Sequence, residues 1–252
     1  MSLLQRGFAT LAAAPKRVGL IFPGGGLFFW WQAGAIAGLA GKVDLASAPL
    51  VGASSGSLAA TLAACDADID RALSLAINLS DEAGVFERGP WGLYGIWGPI
   101  IHTWLDELLP DDAADRCRGR VSVLVREVSV ASPYIRQLAV SDFTDKADLI
   151  SSCMASVHVP FFLDRNMTTE FRGKRCVDGS LSLPLLPKPT YMMPTGFAGL
   201  PTIRVSPMRD PRMRKAYGRP SDFLRLSGED SVREMMLWGQ EYVTEGNLDL
   251  PE

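Results

Sequence analysis

The apolar residues of this chain fall into short runs that alternate with glycine turns and with longer stretches of helical spacing. Arg17 to Phe22 is an apolar run stopped by Pro23-Gly24-Gly25-Gly26, the pattern of a buried strand entering a glycine turn. Leu27 to Ala40 follows as a helix that is apolar nearly all round and therefore central. Pro49-Leu50-Val51 reads as a second strand, and Ser57 to Cys65 as an alanine-rich helix able to approach a sheet closely. Asp68 to Leu79 is predicted as a helix with Asp68 as its cap. Pro99 to Leu109 places Ile100, Ile101, Trp104, Leu105 and Leu108 on one helical face. Arg120 to Val130 alternates as a strand, Tyr134 to Val140 is spaced to pair with it, and Asp145 to Ser156 reads as a helix ending before Val159-Pro160. Cys176-Val177 leads into an Asp-Gly turn, Thr202 to Ser206 makes a last strand, and Ser231 to Glu245 a terminal helix. Strands alternating with helices predict an α/β fold with a mainly parallel sheet covered on both faces.

Composition narrows the function classes. The chain has 252 residues, of which 47% are hydrophobic and 21% charged, so it is not dominated by disorder. Its formal net charge of −3 gives no global signature of a nucleic-acid-binding surface. Cys65, Cys117, Cys153 and Cys176 are widely spaced in sequence without a CxxC pair, which argues against a disulfide scaffold or a zinc module and for reduced thiols inside a cell. No stretch reaches the roughly 18 apolar residues of a membrane span. Residues 1–16 form a basic, acid-poor tail, read equally as a ragged end or as an organelle presequence.

Candidate chemistry concentrates in three places. Gly52-Ala53-Ser54-Ser55-Gly56 matches GxSxG between a strand and a helix, where flanking glycines let the chain turn sharply and present the Ser54 hydroxyl. The bland alternative is a glycine-bounded turn with an incidental serine. Gly24-Gly25-Gly26 leaves backbone N–H groups unshielded, suited to a phosphate or to an oxyanion. A dinucleotide fingerprint fails because its third glycine position is Phe29, and a P-loop fails for want of Gly-Lys-Ser/Thr, so the oxyanion reading stands. Only two histidines exist. His102 lies on a predicted helix surface and His158 in the apolar setting of Val159-Pro160-Phe161-Phe162, so neither suits a triad. A carboxylate must then serve as base for Ser54. Asp178 in Val177-Asp178-Gly179 is the best placed, at a strand end, although Asp-Gly taken alone is more often only a turn.

Together these segments resemble the patatin-like phospholipase family, in particular its adipose-triglyceride-lipase-type branch. The resemblance rests on Phe22 to Ala35, Gly52 to Ser57 and Val177 to Gly179, supported by Leu109 to Ala114, Val140 to Phe143 and Ser156 to Phe162. It implies a three-layer α/β/α fold and an acyl-hydrolase domain over 17–206, followed by a basic segment and helix over 207–252. It further implies a Ser54–Asp178 dyad, an oxyanion hole at Gly24, Gly25 and Gly26, lipid esters as substrate, and no cofactor or metal. The chain departs from the family pattern at Phe29, where the loop usually carries Gly, and at Ser180, where Gly or Ala usually follows Asp-Gly. The β-carbon of Phe29 is expected to restrict the loop or the acyl pocket. A catalytically silent lipid-binding protein and an acyl transferase are the competing readings.

A lipase must reach an interface, so a peripheral membrane or lipid-droplet surface is an expected partner, with a protein activator left open and cytoplasm or an organelle as its place. The aromatic loop over Phe86 to Trp97 suits a headgroup zone, but a satellite cluster folded onto the body is the favoured reading. The run with Arg204, Arg209, Arg212, Arg214 and Lys215 suits anionic lipid, with a solvated face as the commoner explanation. Met192-Met193 is expected to pack against core.

Overall fold

The computed structural model describes residues 17–131, 134–182, 187–197, 199–219 and 221–250. The readings of the 1–16 tail lie outside these residues. Strands β1 (Gly19–Phe22), β2 (Leu50–Ala53), β3 (Val121–Val128), β4 (Ile135–Val140), β5 (Thr169–Phe171), β6 (Lys174–Val177) and β7 (Thr202–Arg204) form one sheet. Its order is β5-β6-β3-β2-β1-β7, with β4 paired to β3 off that path. The centre, β7-β1-β2-β3, is parallel. β4, β5 and β6 add antiparallel pairs.

The helices among the described residues are α1 (Phe29–Leu39), α2 (Ser55–Cys65), α3 (Ile69–Glu82), α4 (Trp97–Leu108), α5 (Ala113–Cys117), α6 (Lys146–Ser156), α7 (Pro211–Ala216) and α8 (Glu229–Thr244). The architecture is a three-layer α/β/α sandwich, and its layering is uneven. Leu20, Phe22, Leu50, Val121, Val123 and Val125 project from the strands into the main core shared with the helices. Val51, Ala53 and Leu124 project the other way into a small cluster covered by Tyr191 and Met193. Every residue of α2 is buried, which its alanines and glycine make possible against the sheet. Asp68 caps α3 by accepting from Arg71 N at 2.9 Å, and Asp145 caps α6 by accepting from Asp148 N at 2.8 Å.

The hairpin of β5 and β6 differs from the expectation, which saw only Cys176-Val177. Its strands are short and charged, as suits a sheet edge, and they turn through Arg172 (φ 47°) and Gly173 (φ 71°). The short helices α5 and α7 carry too few residues to show a period. The methionine pair splits: Met193 packs into the small cluster, while Met192 is exposed. Cys65 and Cys117, far apart in sequence, meet with their sulfurs 3.9 Å apart where α2 ends against α5.

The segment after 206 joins the same core through Met213, Met235, Tyr242 and Val243. Helices α1 and α8 touch backbone to backbone. A Cβ on Gly34 would lie 1.8 Å from Met236 O, and one on Gly239 would lie 2.0 Å from Trp31 O. Beside this contact, Asp210 is fully buried and accepts from Trp31 Nε1 at 3.0 Å. It also pairs with Arg212 at 3.1 Å, and Arg212 reaches Glu241 Oε2 at 2.6 Å and Trp238 O at 2.8 Å on α8. One basic residue of the run is thus a structural clamp rather than a solvated charge. Arg209, Arg214 and Lys215 remain exposed.

Burial works against the ionised form of Asp210, but Arg212 and the Trp31 N–H outweigh it and hold the carboxyl below the usual range. Its stabilising contribution is therefore complete above the ordinary carboxylate range and is lost as pH falls through the lowered value. Asp210→Ala, which leaves Trp31 Nε1 without its acceptor and Arg212 with only its partners on α8, should lower stability by about 1–3 kcal/mol, or roughly 2–12 °C in melting temperature. Thermal melts across acidic pH should show a shallower decline for the variant than for the wild type.

Candidate active site

The edge of β3 brings two distant segments together. β2 pairs along it in parallel up to Ala53 opposite Leu124, and β6 pairs antiparallel down to Val177 opposite Arg126. β4 occupies the other edge of β3 from Val123 to Val128. β2 and β6 therefore share one edge and arrive from opposite directions. The next residue of each, Ser54 and Asp178, falls at the level of Val125. The sequence reading named both residues, and the sheet register places them side by side.

Ser54 sits between β2 and α2 with φ 54° and ψ −136°, a conformation that L-residues avoid. The flanking glycines are required by space. A Cβ on Gly52 would lie 2.1 Å from Gly56 O, and one on Gly56 would lie 2.0 Å from Phe22 O. Ser57 holds the turn from below, its Oγ donating to Ser54 O at 2.7 Å. Ser156, at the end of α6 and fully buried, fastens the arrangement: it accepts from Ser54 N at 2.9 Å and donates to Leu124 O at 2.7 Å. Its own carbonyl accepts from Gly179 N at 2.9 Å. Gly179 is obligatory there, because a Cβ would lie 1.9 Å from Leu124 O.

Asp178 is 2% exposed. Its Oδ1 accepts from Ser180 N and from Ser180 Oγ, both at 2.8 Å, while Oδ2 is buried without a hydrogen-bond partner. Burial pushes the carboxyl pKa up, against the opposing influence of the Ser54 hydroxyl, the Ser180 hydroxyl and N–H, and His158. The Ser54 side chain is thus close enough to favour the carboxylate, yet no formed hydrogen bond joins the pair. Such contacts commonly tighten only when substrate is bound.

The glycine loop lies over this pair. A Cβ on Gly24 would lie 2.3 Å from Ser180 Oγ and 2.9 Å from Ser54 Cβ. Gly25 N–H donates to Ser55 Oγ at 3.0 Å and is engaged rather than free. Gly26, at φ 53°, opens a 3-10 turn (Gly26–Phe28), so its N–H has no partner within that turn. The left-handed backbone falls on Gly26 and not on Phe29. Phe29 has φ −46° and ψ −39°, ordinary helical values at the start of α1, so its β-carbon imposes no strain on the loop. Its ring packs edge-on against Trp30 at 5.0 Å and Trp104 at 5.6 Å.

Ser54 and Asp178 open into a cavity of about 570 Å³. Apolar side chains such as Leu73, Ile77, Trp97 and Ile101 line it, together with the glycine loop and, from the later chain, Tyr217, Phe223, Leu224, Leu226 and Val232. The aromatic loop forms a satellite cluster in which Leu93 and Trp97 pack with Phe162 and Leu226, but Phe86, Trp91 and Tyr94 stay 39%, 50% and 45% exposed. His158 is buried, with Nε2 at 3.2 Å from Asn166 O, and its carbonyl accepts from Asp178 N. His102 is exposed on α4. Neither histidine contacts Ser54 through a hydrogen bond.

Sequence reasoning missed Ser156, which looks like any helical serine until its three bonds are seen. It also missed Arg126, buried at 2% exposure on β3 beside the Asp178 strand end, where burial pushes its pKa down and Asp178 and Tyr191 oppose that.

A strained serine on a strand–helix turn, a buried carboxyl and a glycine loop, all lining one apolar cavity, make this an α/β protein with a candidate active site. The family model for patatin-like phospholipase matches residues 20–187, well over half the chain, and the chain belongs to that family. Membership implies lipid acyl hydrolase activity in general terms. A comparison with curated proteins gives no match.

Two stability effects follow from the site. The raised pKa of Asp178 means that the folded state binds a proton more tightly than the unfolded state, so ionising this group destabilises the fold as pH rises through the ordinary carboxylate range to the raised value. Asp178→Asn, which cannot ionise, should melt at or above the wild-type temperature at neutral pH and converge with it in acid. Ser54→Gly should be about 1–2 kcal/mol more stable than Ser54→Ala, because only glycine relieves the left-handed backbone. Paired thermal melts measure both.

Proposed function

We propose that the protein hydrolyses carboxylic esters of acylglycerols or phospholipids through a Ser54–Asp178 dyad, as in the adipose-triglyceride-lipase-type branch of its family. The observation that carries this reading is the shared level of Ser54 and Asp178 on β3, at the floor of an apolar cavity. Ser54 Oγ attacks the ester carbonyl as its proton passes to Asp178. The tetrahedral oxyanion accepts from the N–H groups of the Gly24–Gly26 loop: Gly26 directly, and Gly25 once Ser55 Oγ releases it. The intermediate expels the alcohol, which takes the proton from Asp178. Water then attacks the acyl-enzyme, its proton passes to Asp178, and collapse returns that proton to Ser54 as the fatty acid leaves.

Carboxylates are weak bases, and the burial that raises the pKa of Asp178 makes this one stronger. The apolar lining suits an acyl chain. Phe86, which lines the cavity, and the exposed Trp91 and Tyr94 suit contact with a lipid surface, and the exposed Arg209, Arg214 and Lys215 suit its anionic headgroups. The helical backbone of Phe29 removes the loop strain that would favour a catalytically silent protein.

A fluorophosphonate probe tests the reading. The wild type should be labelled and Ser54→Ala should not, and Asp178→Asn should lose turnover by about 10⁴-fold while remaining folded. A panel of triacylglycerol, phospholipid and lysophospholipid then identifies the ester. An unlabelled wild type, or full turnover in Asp178→Asn, would overturn the proposal.

A further inference from the structure

Ser180 occupies a position that the dyad reading leaves without a role, and it touches three parts of the site at once. Its N–H and its Oγ both donate to Asp178 Oδ1 at 2.8 Å. Its side chain presses on the glycine loop, with Oγ 2.3 Å and Cβ 2.6 Å from where a Gly24 Cβ would stand. It also lines the cavity beside Ser54. A carboxylate has two oxygens, and one that accepts two bonds can rotate little. With Oδ1 engaged, Oδ2 is the oxygen left without a partner.

We propose that Ser180 is a positioning residue: it fixes Asp178 Oδ1 so that Oδ2 is presented to Ser54, and its hydroxyl sustains the carboxylate against burial. The inference deepens the dyad reading and rests on it. The energetic case is a balance. Burial favours the neutral acid, and the hydroxyls of Ser54 and Ser180 are the leading groups opposing it. The Ser54 hydroxyl is consumed when it attacks, whereas Ser180 stays in place throughout. An alanine or glycine at this position keeps the N–H bond and loses the hydroxyl bond. The other groups facing Asp178 are His158 after α6, Arg126 on β3 and Tyr191 of the covering segment, and these are unchanged in such variants.

The test compares Ser180→Ala with Ser180→Gly. The second-order rate of Ser54 labelling by a fluorophosphonate is measured across pH, together with the melting temperature. Removing a donor to the carboxylate raises the pKa of Asp178, so the acid limb of the profile should move to higher pH in both variants. Labelling should slow about tenfold on the acid limb and recover toward the wild-type rate at high pH. If Ser180 acts only by filling space against Gly24, alanine keeps the Cβ and its profile should superimpose on the wild type. That superposition would overturn the proposal, as would a uniform loss at every pH. Failure of the dyad reading is distinct: the wild type itself would go unlabelled, or Ser54→Ala would still react.

Discussion

The site depends on one shared strand edge. β3 is long enough to pair with β2 over its first half and with β6 over its second, on the same side. Because the two partners run in opposite directions, their C-terminal ends meet, and two residues more than a hundred positions apart in the chain become neighbours. No flexible loop is needed to bring them together. Hydrogen bonding of the backbone sets the separation, and Ser156 fastens the junction by bonding Ser54, Leu124 and Gly179.

The same junction concentrates unfavourable terms. Ser54 holds a backbone that costs of order 1–3 kcal/mol, and Asp178 is buried with one oxygen unpartnered. Both are tolerable because their surroundings are rigid: α2 is buried along its whole length, and the elbow glycines allow backbone contacts too close for any side chain. Strain and desolvation are gathered at one place and held by a tightly packed frame, the circumstances in which functional groups with shifted pKa values cluster.

Much of this was legible in the sequence, and the reason is local chemistry. The turn at Ser54 needs glycines at 52 and 56 because the backbone itself occupies the space, so the motif is written in consecutive residues. Asp178 was legible less directly, by the scarcity of histidine and by its place at a strand end. The partners that depend on register were not legible. Nothing in Ser156 marks it as the fastening between β2, β3 and the Asp-Gly turn, and nothing in Gly34 or Gly239 says that α1 and α8 lie backbone to backbone. The engagement of Gly25 N–H by Ser55 Oγ likewise needs coordinates, because one hydroxyl looks like another in a sequence. The expectation that Phe29 restricts the loop failed for a local reason: the left-handed backbone falls on Gly26, so Phe29 starts α1 on ordinary helical backbone, while the residue itself lines the cavity.

The cavity walls come from two sources. The glycine loop and the walls at Leu73, Ile77, Trp97 and Ile101 belong to the family-matched stretch, whereas Tyr217, Phe223, Leu224, Leu226 and Val232 lie beyond it. Part of the chamber wall is thereby carried by a stretch of chain apart from the Ser54–Asp178 junction. Drift in the later stretch can reshape the chamber, and with it the molecules that enter, while the Ser54–Asp178 junction stays as it is. In such a molecule new preferences can evolve by altering the vessel alone.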